Sequence, residues 1–125
     1  GEHGSTYGGS PMAASVAIAS LSVVRDEQLL RNAFEMGELF RNEIAKINNP
    51  MLLKVRGKGL LNAVVTRPME HKTAWDICLA LKENGLLAKP THGDIIRFTP
   101  PLIITKEQMM DSIAIIRKTL DAFGK

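Results

Sequence analysis

Gly85-Leu86-Leu87-Ala88-Lys89-Pro90-Thr91-His92-Gly93-Asp94-Ile95-Ile96-Arg97-Phe98 reads as a strand, a turn and a returning strand. Leu86 to Lys89 is a short extended run, Pro90-Thr91-His92-Gly93 has the chemistry of a turn, and Asp94 to Phe98 comes back as the second strand. Pro100 and Pro101 end it, because proline brings no N–H to a ladder. On the upstream side a helix from about Lys72 to Asn84 turns Trp75, Cys78, Leu79 and Leu81 inward and closes on Gly85, a residue suited to the left-handed conformation after a helix. On the downstream side Thr105 and Gln108 have the spacing of a capping box, and Met109, Ile113, Ile116, Leu120 and Phe123 then form one apolar stripe of a last helix.

The same reading extends toward the N-terminus. Leu52 to Arg56 and Leu60 to Thr66 are strands around Gly57-Lys58-Gly59, and pairing as a hairpin or running as one bent strand both remain open. Asn48-Asn49-Pro50 stops a helix from about Asp26 to Ile47, whose Leu30, Ala33, Gly37, Phe40, Ile44 and Ile47 repeat at three and four. The order helix, helix, strands, helix, strands, helix predicts an α+β fold in which helices cover a small, mostly antiparallel sheet.

One segment does not suit a small domain. Ser10 is an N-cap, Pro11 takes the first helical position, and Met12 to Val24 is then apolar or small on nearly every side. A surface helix carries one apolar stripe, so this one requires protein on all sides. The chain therefore divides into residues 1–25, a loop and a linking helix, and residues 26–125, an α+β unit. The expectation is that the first helix packs on a large domain lying upstream of Gly1.

Composition narrows the functional classes. The chain has 125 residues and 45% hydrophobic content, enough for one core. Its 16 Lys and Arg against 13 Asp and Glu leave +3, spread without a basic run, which argues against nucleic acid as a partner. No apolar run approaches the roughly 20 residues of a membrane span, and Gly1-Glu2-His3-Gly4 has no signal pattern, so the chain reads as soluble. Cys78 is the single cysteine. Flanked by Ile77 and Leu79, it reads as a small buried thiol.

Few residues carry chemistry. Gly4-Ser5-Thr6-Tyr7-Gly8-Gly9 before a helix can offer backbone N–H groups, two hydroxyls and a helix dipole to a phosphate, and a plain flexible loop is the alternative. Ser10-Pro11 after Gly9 excludes the Walker A pattern. Arg97, between Ile96 and Phe98, shares a face with Ile95 by alternation; it either grips a carboxylate at a cleft or lies on a solvated strand face. Lys58 and Lys89 flank turn residues and read as solvated charges. His3, His71, His92 and Cys78 lack metal-ligand spacing, so no metal is expected, and no acid–base pair or triad is evident.

Gly4 to Pro11, Val55-Arg-Gly-Lys-Gly-Leu-Leu-Asn-Ala63 and Gly85 to Leu102 resemble the class-III, fold-type-I aminotransferases. Within that class, Ala88 to Phe98 resembles the ornithine aminotransferases. The resemblance covers nearly the whole chain. It implies the C-terminal small domain of an enzyme that uses pyridoxal 5'-phosphate to move the δ-amino group of ornithine to 2-oxoglutarate, giving glutamate semialdehyde and glutamate. Ser5 and Thr6 match positions that bind the cofactor phosphate of the neighbouring subunit, and Arg97 matches the arginine that holds a substrate carboxylate. Where the family commonly has Gly-Gly-Asn-Pro this chain has Ser10, which caps a helix equally well. The resemblance places the Schiff-base lysine, the aspartate facing the pyridine nitrogen and the stacking aromatic in the large domain, so no catalytic residue is expected in this chain and it is expected to be inactive alone. It also implies a homodimer partner at Gly4 to Gly9 and an intracellular site, mitochondrial matrix or cytoplasm. Two other readings compete: a free-standing α+β domain that binds a small regulatory molecule, and an interaction domain that docks through its first helix.

Overall fold

Valine, isoleucine and leucine are frequent in two stretches of this chain, which suits the pleat of a sheet, and a computed structural model, describing residues 1–68 and 73–123, shows how they pair. Strands β1 (Leu52–Lys58) and β2 (Leu61–Thr66) form an antiparallel hairpin, which settles the alternative left open by the sequence. Gly57 and Lys58 belong to the strand, and the turn is Gly59-Leu60. Strands β3 (Lys89–Thr91) and β4 (Ile95–Phe98) are also antiparallel, and the four strands lie in the order β1-β2-β4-β3. Strand β3 begins later than expected: Pro90 and Thr91 are paired, not turned, and the turn is His92 to Asp94. The shift is physically permitted because β3 is an edge, where proline's missing N–H removes no ladder bond.

Four helices complete the fold: α1 (Pro11–Asp26), α2 (Leu29–Ala45), α3 (Ala74–Glu83) and α4 (Lys106–Phe123). The beginning of α3 expected at Lys72 lies outside the described residues, as does His71; the described helix starts behind Thr73, whose capping box with Asp76 is complete. Its C-cap is Asn84, and Gly85 follows with φ +91°, the left-handed geometry that only glycine adopts without strain. The stripe of α4 packs as expected, with Met109, Ile113, Ile116 and Leu120 buried and Phe123 against them, behind reciprocal Thr105–Gln108 bonds of 3.0 and 3.2 Å.

Two expectations about helix phase fail. Asp26 does not open α2 but ends α1, and Gln28 (φ 56°) breaks the chain between them, so the buried stripe of α2 begins at Leu29 while Leu30 is 77% exposed. Ile47 is buried, but beyond the end of the helix. In α3 the buried residues are Ala74, Ile77, Cys78 and Leu81, a stripe at three and four. Trp75 and Leu79 come one position after stripe members, roughly 100° further round, and are exposed.

The core lies between one sheet face and helices α2, α3 and α4. Directly paired residues share a face, so Val64, Ile96 and Phe98 turn to the helices with Asn62 and Thr66, all buried. The hairpin is held close to α2. A Cβ on Gly37 would stand 1.9 Å from the carbonyl oxygen of Gly59, so no larger residue fits without moving backbone. Beside this approach Arg41 donates to Gly59 O (3.0 Å) and Asn62 Oδ1 (2.7 Å), which supplies the buried Asn62 amide with a partner. Asn49 ties the α2–β1 loop to α4 through Asp121 (3.1 Å).

Helix α1 differs from all of this. No residue of it is buried, and Met12, Val16, Ile18 and Leu21 are each more than 60% exposed.

Candidate functional site

The glycine-rich loop before α1 is exposed throughout from Gly1 to Gly9. Ser5 Oγ accepts from Gly8 N–H at 2.9 Å and Ser10 N–H donates to Tyr7 O at 3.1 Å, so residues 5–10 form a turn of defined shape. Ser10 also caps α1 through Ala13 N–H, at 3.5 Å. The helix terminus is thereby partly satisfied from within. Among the described residues the N–H groups of Thr6 and Tyr7 and the Thr6 hydroxyl have no acceptor or donor opposite them. Together with the Ser5 O–H they make a small set of exposed donors, which suits a phosphate group.

Arg97 lies on the sheet face turned away from the helices, as alternation with Ile95 requires. Its guanidinium is exposed, and it makes no hydrogen bond or ion pair with any described residue. Three helix arginines behave differently: Arg25 pairs with Asp26, Arg31 with Glu35 and Arg41 with Glu38. Arg97 borders two cavities. One, of about 470 Å³, is mainly apolar and lies between β4, Phe40, Leu86, Pro100 and Met109. The other, of about 400 Å³, lies on the open sheet face and is bounded by Arg56, Lys58, Thr91 and His92. Neither cavity includes a residue of the glycine-rich loop, so this chain does not bring Ser5 and Thr6 to Arg97.

Sheet register adds residues that sequence reasoning passed over. Arg97 pairs with Ala63 on one side and Lys89 on the other, and Ala63 pairs with Arg56. Lys58 and Lys89 are strand residues on this face, not turn charges. The signal was present in the alternation of the strands, but only a fixed register aligns them. Cys78 is buried, and burial pushes its thiol up to about 11, which keeps it protonated and unreactive. Among the described residues no group of His, Cys, Asp and Glu could hold a metal ion, and no helix is long and apolar enough to cross a membrane.

The comparisons with known proteins agree with this geometry. A mitochondrial ornithine aminotransferase of Drosophila melanogaster is 59% identical over 120 residues, covering 96% of this chain and 27% of that protein. The crystal structure of an acetylornithine aminotransferase from Elizabethkingia anophelis superposes with a TM-score of 0.90 at 55% identity, over 98% of this chain and 33% of the other. An ornithine aminotransferase from Plasmodium yoelii gives 0.89 at 46% identity, again over 98% of this chain and 33% of the other. The chain thus spans about a quarter to a third of the length of the proteins it matches. Residues 1–120 fit the pattern of the class-III aminotransferases, and the chain belongs to that family.

Proposed function

We propose that this chain is the C-terminal part of an ornithine aminotransferase, an enzyme that moves the δ-amino group of ornithine to 2-oxoglutarate and forms glutamate semialdehyde and glutamate. One observation carries the reading: an unpaired Arg97 on the open sheet face, in a chain that shares 59% identity with an ornithine aminotransferase. Residues 1–25 act as the phosphate loop and linking helix, and residues 26–125 as the small domain. The apolar surface of α1 packs on the large domain. Such enzymes work as homodimers, and the loop from Gly4 to Gly9 lies at the dimer interface.

Each group here has a limited task. Ser5 and Thr6, with the N–H groups beside them, hold the phosphate of the pyridoxal 5'-phosphate bound to the neighbouring subunit. When bound, the cofactor supplies the electron sink that allows the amino group to move. Arg97 holds a substrate carboxylate, chiefly that of glutamate and 2-oxoglutarate, because its planar fork matches two oxygens at once. Proton transfer belongs to residues outside this chain, so the chain alone is inactive. The Drosophila relative is a mitochondrial protein, and we assign this protein to the mitochondrial matrix or cytoplasm.

The test is an assay of purified protein containing this chain with ornithine or N-acetylornithine as amino donor and 2-oxoglutarate as acceptor. Ornithine should be the better donor, and Arg97→Ala should lower kcat/KM for 2-oxoglutarate by about tenfold to a hundredfold, the loss expected for one charge-assisted bidentate contact. Preference for N-acetylornithine would move the protein to the other branch of the family, and absence of transamination with either donor would overturn the reading.

A further inference from the structure

Asn84-Gly85 is the one Asn-Gly step in the sequence. In an unconstrained chain this pair is chemically labile, because no side chain shields the glycine N–H and the flexible backbone lets it attack the asparagine Cγ. Here the fold uses the same two residues to end a helix. Gly85 N–H donates to Lys82 O and Leu86 N–H to Leu81 O, both at 2.9 Å, the double closure of a helix that ends on a left-handed glycine. The Asn84 side-chain amide donates to Ala80 O (2.9 Å) and, across to α4, to Thr119 Oγ1 (3.3 Å). Thr119 Oγ1 gives its own hydrogen to Ile115 O (2.9 Å). The attacking and leaving nitrogens are thus both engaged, and ψ of 5° at Asn84 eclipses Gly85 N with Asn84 N, turned away from the side chain it would attack. Gly85 is exposed and a Cβ there would meet nothing within 4 Å, so hydrogen bonds and a backbone angle, not crowding, keep the pair from reacting.

We propose that Asn84-Gly85 is a self-modification site, closed in the folded chain and opened when the C-terminal end of α3 comes away from α4. In the open state Gly85 N loses its proton and bonds to Asn84 Cγ, the Cγ–Nδ2 bond breaks, and ammonia leaves with that proton, giving a succinimide ring. Water then cleaves one of the two C–N bonds of the ring. Cleavage at Cγ leaves aspartate; cleavage at the main-chain carbonyl leaves isoaspartate, with the backbone rerouted through the side chain. One water is consumed and one ammonia released. The product does not fit the place the amide held. A carboxylate at position 84 has no hydrogen to donate, and it faces the Ala80 carbonyl at the negative end of α3 and the buried Thr119 oxygen, whose hydrogen is given to Ile115. Isoaspartate also lengthens the main chain ahead of Gly85, which breaks the double closure. A molecule that has opened and reacted therefore does not redock α3 on α4 as before, whatever reaction the whole protein performs.

The test follows the modification itself. Purified protein containing this chain is incubated at mildly alkaline pH in buffer and in guanidinium chloride, and the peptide carrying Asn84 is followed by mass spectrometry for conversion of amide to acid. Conversion should be about tenfold or more faster in denaturant, since the native rate is the unfolded rate scaled by the fraction of open molecules. Asn84→Gln, whose longer side chain closes the ring far more slowly, should suppress it in both. Asn84→Asp reproduces one product and should unfold at a lower denaturant concentration than wild type. That gap should narrow as pH falls: a carboxylate disfavoured in the folded state has its pKa raised there, so the loss sets in as pH rises through the folded value and fades below the unfolded one. Equal conversion in buffer and denaturant, or none at Asn84 in the unfolded protein, would overturn the proposal. So would an Asn84→Asp protein as stable as wild type.

Discussion

Helices α1 and α4 are of similar length, 16 and 18 residues, yet the richer supply of apolar side chains belongs to α1, which buries none of them, while α4 buries five residues. The difference lies in arrangement. In α4 the apolar positions recur on one side, so a single layer of neighbours covers them; in α1 they surround the axis and no single layer can. Apolar content alone does not measure a helix's contribution to a core. What counts is whether the fold supplies enough surface in the right direction, and this chain supplies it to α4 only.

The largest effect should separate the two helices by truncation. Leu120→Ala removes a side chain that is 1% exposed and should cost about 3 kcal/mol in chemical denaturation of this chain, whereas Ile18→Ala, 67% exposed, should cost less than about 0.5 kcal/mol. In protein that also contains the partner surface of α1, the cost of Ile18→Ala should rise above 1 kcal/mol; an unchanged value there would mean that α1 stays uncovered. A smaller effect is expected at the helix starts. Thr105→Ala breaks the two-way box of α4 and should cost about 1 kcal/mol, while Ser10→Ala, losing a bond of 3.5 Å on a helix with no buried residue, should cost less in the same experiment.

The smallest effect concerns a thiol used as a reporter. Burial holds Cys78 at about 11, so its alkylation in native protein should stay slow at pH 8 and rise with pH, since only the thiolate reacts. A cysteine introduced by Ile18→Cys on the exposed helix should react quickly and level off above its ordinary pKa of about 8.5. Equal rates at the two positions would mean that the core opens as readily as the uncovered helix.

Much of this division was readable from residue order. The stripe of α4, its Thr105–Gln108 box, the Gly85 stop and the all-round apolar α1 follow from local rules, and the structure has each of them. What failed were matters of phase. The break at Gln28 carries neither glycine nor proline, so nothing local marked the place where the stripe of α2 is reset. Trp75 and Leu79 are large and apolar, but a helix of ten residues against one layer buries only a narrow stripe, and they fall beside it. Arg97 and the hydroxyls of Ser5 and Thr6 were legible as candidates from residue type and resemblance. Arg56 was not, because its place beside Arg97 depends on a hairpin register and on β4 lying next to β2, and no local pattern specifies either.

The two outer strands have a consequence for assembly. A sheet edge presents unpaired N–H and C=O groups to any passing strand and so invites polymerisation. Here one edge is β3, three residues long with Pro90 at its centre, and the other is β1, which bears Lys54, Arg56 and Lys58 and has an irregular register near Leu52. Brevity and a missing donor close the first edge; repulsion between like charges and a broken ladder close the second. Strand-by-strand addition of one copy to another is therefore disfavoured at both edges of the four-stranded sheet.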